Sequence, residues 1–100
     1  MPIYQFLDVA LCHITEKDWE LLCSLPVSRP PHASSYDCGA YIPAPSMDIL
    51  ENFALEELEE TGFSAEFRNL LVYAAKENCF LLRLDRDADM HSDLKVFDTP

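Results

Sequence analysis

Lysine and arginine are scarce in this chain, and between Arg29 and Arg68 there are none. Seven basic residues face eighteen acidic ones, a formal charge of −11 on 100 residues. Such a protein is repelled by phosphate, so direct binding to a nucleic-acid backbone or to an anionic membrane surface is not expected. Glycine is nearly absent as well, with only Gly39 and Gly62. A Gly-rich phosphate loop is thereby excluded, and few turns can rely on a left-handed backbone. No Cys-x-x-Cys pair occurs among Cys12, Cys23, Cys38 and Cys79. Cytosolic zinc ligands usually come in such close pairs, so no metal or other cofactor is expected, and the thiols read as small reduced hydrophobes. The first apolar run, Ile3 to Cys12, has no basic segment before it and carries Asp8 in its middle. It does not read as a secretion signal, which points to a cytoplasmic protein. No apolar stretch approaches the ~20 residues of a membrane span.

What is present is enough apolar material for a core, 49% of residues with eleven aromatics. At 100 residues this suits one domain, spanning 1–100. Residues 3–12 are apolar at odd and even positions alike, the pattern of a central strand covered on both faces. Thr15 reads as an N-cap, with Glu16 and Asp18 complementing the dipole of a helix over 15–25. Trp19, Leu22 and Cys23 give that helix its buried stripe. Pro26, Pro30, Pro31 and the serines near them mark 26–37 as a loop. Residues 38–42 form a short strand ended by Pro43 and Pro45.

Ser46 caps a second helix that runs to about Glu60, with Gly62 as its C-terminal glycine. Leu50, Phe53, Ala54 and Leu58 are its expected inner stripe. Ser64 caps a third helix, where Phe67, Leu70, Leu71, Ala74 and Ala75 follow the i, i+3, i+4, i+7, i+8 rule. Asn78 ends it, and residues 79–84 are a strand. In the polar tail, Val96 and Phe97 are expected to fold back on the core. The expected fold is α+β, with a small mixed sheet of about three strands packed with about three helices.

Two constellations stand out. The stretch without basic residues holds eight carboxylates, six of them on the second helix: Asp48, Glu51, Glu56, Glu57, Glu59 and Glu60. The 100° step puts Asp48, Asn52, Glu56 and Glu59 in one arc opposite the inner stripe. Like charges at these spacings destabilise an isolated helix, so tertiary packing must hold it. A helix that only solvates a surface normally mixes signs. These six residues are the candidate partner-binding face.

The second constellation is Asp85-Arg86-Asp87-Ala88-Asp89, with His91 and Asp93 beyond. Asp85, Asp87 and Asp89 are weak candidates for a metal site of a small hydrolase. An apolar strand ending in Asp-x-Asp is similar to the nucleophile strand of haloacid-dehalogenase-type phosphatases, but those need a long chain after it. A calcium loop wants Gly and Glu where Met90 and Val96 stand. A solvated turn, with Arg83 and Arg86 paired to nearby aspartates, accounts for the same residues. Cys12 and His13, adjacent on a strand, point to opposite faces and make no nucleophile–base pair. No residue is assigned a catalytic role.

His13-Ile14-Thr15, Gly39-Ala40-Tyr41-Ile42-Pro43, Phe63-Ser64, Leu82 to Ala88 and Phe97-Asp98 together resemble a small domain family of unknown function, found on bacterial plasmids and integrative elements. Thr99 and Pro100 depart from the aromatic ending common in that family. The resemblance implies a mobile-element protein of small α+β fold and supplies no catalytic residue. In size and charge the chain is also similar to acidic anti-CRISPR and anti-restriction proteins that mimic DNA. The expected function is therefore an acidic, protein-binding inhibitor from a mobile element or phage. Its partner would be the basic nucleic-acid-binding surface of a host defence complex. The alternatives are the small hydrolase and a plasmid adaptor protein.

Overall fold

The computed structural model describes residues 5–92 and 94–97. The resemblance at Asp98, the first residues of the expected strand (Ile3 and Tyr4) and the candidate Asp93 lie outside them. Strand β1 (Gln5–Ala10) leads through a single 3-10 turn (Leu11–His13) to helix α1 (Glu16–Ser24). A hairpin follows, β2 (Ser34–Tyr36) and β3 (Gly39–Pro43). Residues 47–61 form one composite helix: α2 (Met47–Ile49), a π-helical segment (Leu50–Ala54) and α3 (Leu55–Thr61). Helix α4 (Ala65–Lys76) and strand β4 (Cys79–Asp85) complete the order. The sheet runs β1-β4-β3-β2, with β1 parallel to β4 and the other pairs antiparallel. The α+β class is as expected, with four strands among the described residues where about three were expected. The added strand is Ser34–Tyr36, inside the segment read as loop; its residues carry no alternation, and they are ordered by pairing with β3 and by the Tyr36 bond to Asp85.

One face of the sheet carries the core. Val9, Ile42, Leu82 and Leu84 point into it and meet Leu22, Leu50, Leu58, Phe67, Leu70 and Leu71 from the helices. The expected stripe of α4 is buried at Phe67, Leu70, Leu71 and Ala74. Phe63 stacks on Phe67 at 4.6 Å. The opposite face shows three cross-strand rows: Phe6–Leu81–Pro43, Asp8–Arg83–Tyr41–Ser34 and Ala10–Asp85–Gly39–Tyr36.

β1 is an edge strand, not the central strand that its two apolar faces suggested, and Phe6 is 53% exposed. The tail substitutes for a neighbour strand. His91 Nε2 donates to the Asp8 carbonyl at 3.1 Å, the Phe97 N–H donates to the Cys12 carbonyl at 2.7 Å, and Leu94 packs on the core. The contact at Asp8 blunts that part of the edge as a template for another strand. Val96, expected on the core, is exposed; only Phe97 is half-buried.

Helix caps follow the sequence, with one addition. Thr15 and Asp18 form a reciprocal capping box. Asp18, read from the sequence as a first-turn acid complementing the helix dipole, is buried. Its Oδ1 accepts the Ser64 N–H at 2.8 Å and its Oδ2 accepts the Ser64 hydroxyl at 2.5 Å. One carboxylate thus caps α1 and anchors the start of α4. Cys23, placed on the α1 stripe, is exposed because α1 buries only a narrow line centred on Leu22.

Candidate functional site

The composite helix starts where the Ser46 hydroxyl accepts the Ile49 N–H at 3.5 Å. It ends at Gly62, whose φ of 114° suits a residue without Cβ. The Gly62 N–H reaches the carbonyls of Leu58 and Glu59, both at 3.1 Å, and the Phe63 N–H returns to Leu58 at 3.0 Å. Between these caps the chain carries six like charges, so the inner contacts of Leu50 and Leu58, both fully buried, hold it in place.

The π segment decides what the helix shows to solvent. The Leu55 N–H bonds back to the Leu50 carbonyl, an i→i+5 closure that turns the chain through fewer degrees per residue than an α-helix. The deficit keeps Leu58 on the same inner face as Leu50. Phe53 falls out of phase. It was expected in the inner stripe; it is 69% exposed, and Ile49, one turn before it, is 50% exposed. The 100° rule missed this because it assumes one uniform period.

All six candidate carboxylates are exposed. Only Glu59 meets a cation among the described residues, Arg68 at 3.6 Å. The expected arc is partly regrouped. Asn52, Glu56, Glu57 and Glu60 line a shallow cleft beside Phe53. Asp48, Glu51 and Glu59 stand outside it, on the same helix. On the other side of Phe53 lies an apolar groove of about 360 Å³. One wall is the helix edge Ile49, Phe53 and Glu57, spaced i, i+4, i+8. The facing wall is built from segments 30–32 and 43–45, and Ala54, Leu58 and Leu71 form the floor. Phe53 and Glu57 belong to both concavities. The signal in the sequence was the Ile49/Phe53/Glu57 spacing together with Pro30-Pro31 and Pro43-Ala44-Pro45, which no single period unites.

The aspartate turn is occupied with internal bonds. Asp85 Oδ2 accepts the Tyr36 hydroxyl at 2.5 Å, and Oδ1 accepts the Asp87 N–H at 2.8 Å. These two bonds, the tyrosine first, hold the Asp85 carboxyl below its ordinary range. Tyr36 is pushed up in turn, by burial first and then by the bond to Asp85 and its charge. Asp87 and Asp89 are exposed. Among the described residues, no three His, Cys, Asp or Glu side chains are placed to hold a metal ion. Arg83 does not pair with this turn. It forks onto Asp8 across the strands, at 2.8 and 3.0 Å, and that bond raises its affinity for its proton.

Cys12 and His13 lie on the 3-10 turn rather than on a strand. His13 is buried; its Nδ1 donates to the Lys95 carbonyl at 2.6 Å and its Nε2 accepts the His91 N–H at 2.9 Å. Both nitrogens are committed to holding the tail. All four cysteines are free of disulfides. No helix among the described residues is long and apolar enough to cross a membrane.

Residues 6–99 match a family of unknown function, the DUF5983 C-terminal domain. No curated protein and no solved structure matches the chain.

Proposed function

The chain is a member of the DUF5983 C-terminal domain family, and we propose that it is a protein-binding inhibitor whose acidic helix occupies a basic, nucleic-acid-binding surface of another protein. The observation that carries this reading is the state of the helix 47–61. It presents six exposed carboxylates, of which only Glu59 has a cationic partner among the described residues. Carboxylates accept hydrogen bonds and donate none, so a complementary surface must bring Lys or Arg. Surfaces that bind nucleic acid are built from such residues to meet an anion ladder.

Within this reading the chain comes from a mobile element or phage and disarms a host defence complex of the CRISPR or restriction type, as a mimic of DNA. The motif resemblance and the net charge support that origin. Four unpaired thiols suit the reducing cytoplasm, where such a complex would be met.

The test uses the full chain on beads, bacterial lysate, and elution with duplex DNA. Expected is release of nucleic-acid-binding proteins, identified by mass spectrometry, and their absence when the bait carries Glu56→Lys and Glu59→Lys. Binding should weaken as salt rises, mostly through the association rate. A partner retained equally by parent and double reversal, and not displaced by DNA, would refute the reading.

A further inference from the structure

The groove beside the acidic cleft asks for something that a flat basic surface does not offer. Four of its wall residues, Pro30, Pro31, Pro43 and Pro45, carry no backbone N–H. Ile49 and Phe53 stand exposed at its lip. The groove therefore recognises by shape and apolar contact. Its polar lining is His32 and Glu57, the latter shared with the cleft that holds Glu56 and Glu60, and among the described residues no Lys or Arg lines either concavity. An occupant that satisfies both sides of Phe53 brings an apolar side chain to the groove and cationic donors to the cleft.

We propose that Phe53 is the divide of a peptide-docking site, taking a segment of the partner protein in which one large apolar side chain is flanked by Lys or Arg. The proposal rests on the acidic-face reading and narrows it to a partner segment with an apolar anchor. The stiff proline wall keeps the groove formed without a partner, which lowers the ordering cost of binding. An anchor seated between Phe53 and the prolines is shielded from water, the setting in which a few residues dominate an interface. The carboxylates around it fix register and exclude acidic competitors.

The test pans a phage-displayed library of random linear peptides on the immobilised full chain at physiological salt. Expected are clones with a Leu, Ile, Phe or Trp bordered by Lys or Arg. Their affinity should fall roughly tenfold or more with Phe53→Ala, the loss typical of a central aromatic contact. The melting temperature of that variant should stay near the parent's, because Phe53 projects into solvent. Glu56→Gln with Glu60→Gln should weaken the same clones and flatten their salt dependence. Basic clones without an apolar residue, bound equally by parent and Phe53→Ala, would overturn the inference and leave the acidic-face reading standing. Apolar clones without cationic flanks, or no clones above the bare matrix, would also overturn it. The acidic-face reading would then be judged separately by the DNA-displacement experiment on folded partners.

Discussion

Gly39→Ala is the substitution most dependent on the detailed geometry of the sheet. Gly39 pairs with Asp85 on β4 and with Tyr36 on β2. A Cβ placed on it would stand 1.7 Å from the Leu84 carbonyl oxygen and 2.9 Å from the Asp85 Cα, both backbone atoms. Ordinary carbon–oxygen contacts begin at about 3.3 Å, so β3 must move away from β4 by on the order of 1.5 Å. That strains two or three ladder bonds worth ~1 kcal/mol each. Overpacking adds ~1–3 kcal/mol. The Tyr36–Asp85 bond, which reaches over Gly39, is put at risk as well. The expected cost is roughly 3–6 kcal/mol, a large part of the ~5–15 kcal/mol of a typical domain. Urea unfolding followed by circular dichroism measures it, with Gly62→Ala as the comparison. Gly62 needs its positive φ but has room, the nearest atom to an added Cβ being Lys17 Nζ at 3.5 Å. Its replacement should cost only ~1–2 kcal/mol. If Gly39→Ala lost less than about 1 kcal/mol, or less than Gly62→Ala, the β3–β4 approach would be wrong.

Leu71→Ala removes a fully buried side chain from the floor shared by the core and the groove, and should cost ~2–5 kcal/mol in the same assay. A loss below ~1 kcal/mol would show that this face of α4 is not core. Moderate sodium chloride should raise the melting temperature, because repulsion among the exposed carboxylates is screened; a fall would mean that ion pairs such as Arg83–Asp8 dominate. Tyr36→Phe should reshape both pH limbs. The Asp85 carboxyl lies below its ordinary range, so its stabilisation is present above about pH 4 and is lost as pH falls through the folded value. The variant should therefore be weaker at neutral pH and lose less on acidification. Tyr36 is pushed the other way, so its contribution holds up to about pH 10 and is lost as pH rises further. Absorbance at 295 nm should show a late tyrosine ionisation in the parent that is lost in the variant. A constant stability gap from acid to neutral pH would sink this account of the Tyr36–Asp85 bond.

Local signals in the chain were enough for the caps at Thr15, Ser46 and Ser64, the C-terminal glycine at 62, the stripe of α4 and the α+β class. Each depends on residues a few positions apart, and such neighbours interact in much the same way in any fold. Acidity was equally plain, since a helix without Lys or Arg keeps its charge wherever it docks. Tertiary structure decided the rest, because those features join residues distant in sequence. Asp85 meets Tyr36 across Gly39 through strand register, and Asp18 meets Ser64 through helix packing. β1 became an edge strand because β4, the last strand in sequence, lies on one side of it and tail residues on the other. Phe53 left the core because packing at Leu50 and Leu58 is met by a π turn, a change of period that hydrophobic spacing alone does not register. That turn places Phe53 between the carboxylates and the proline-lined groove, where it joins an acidic surface to an apolar one.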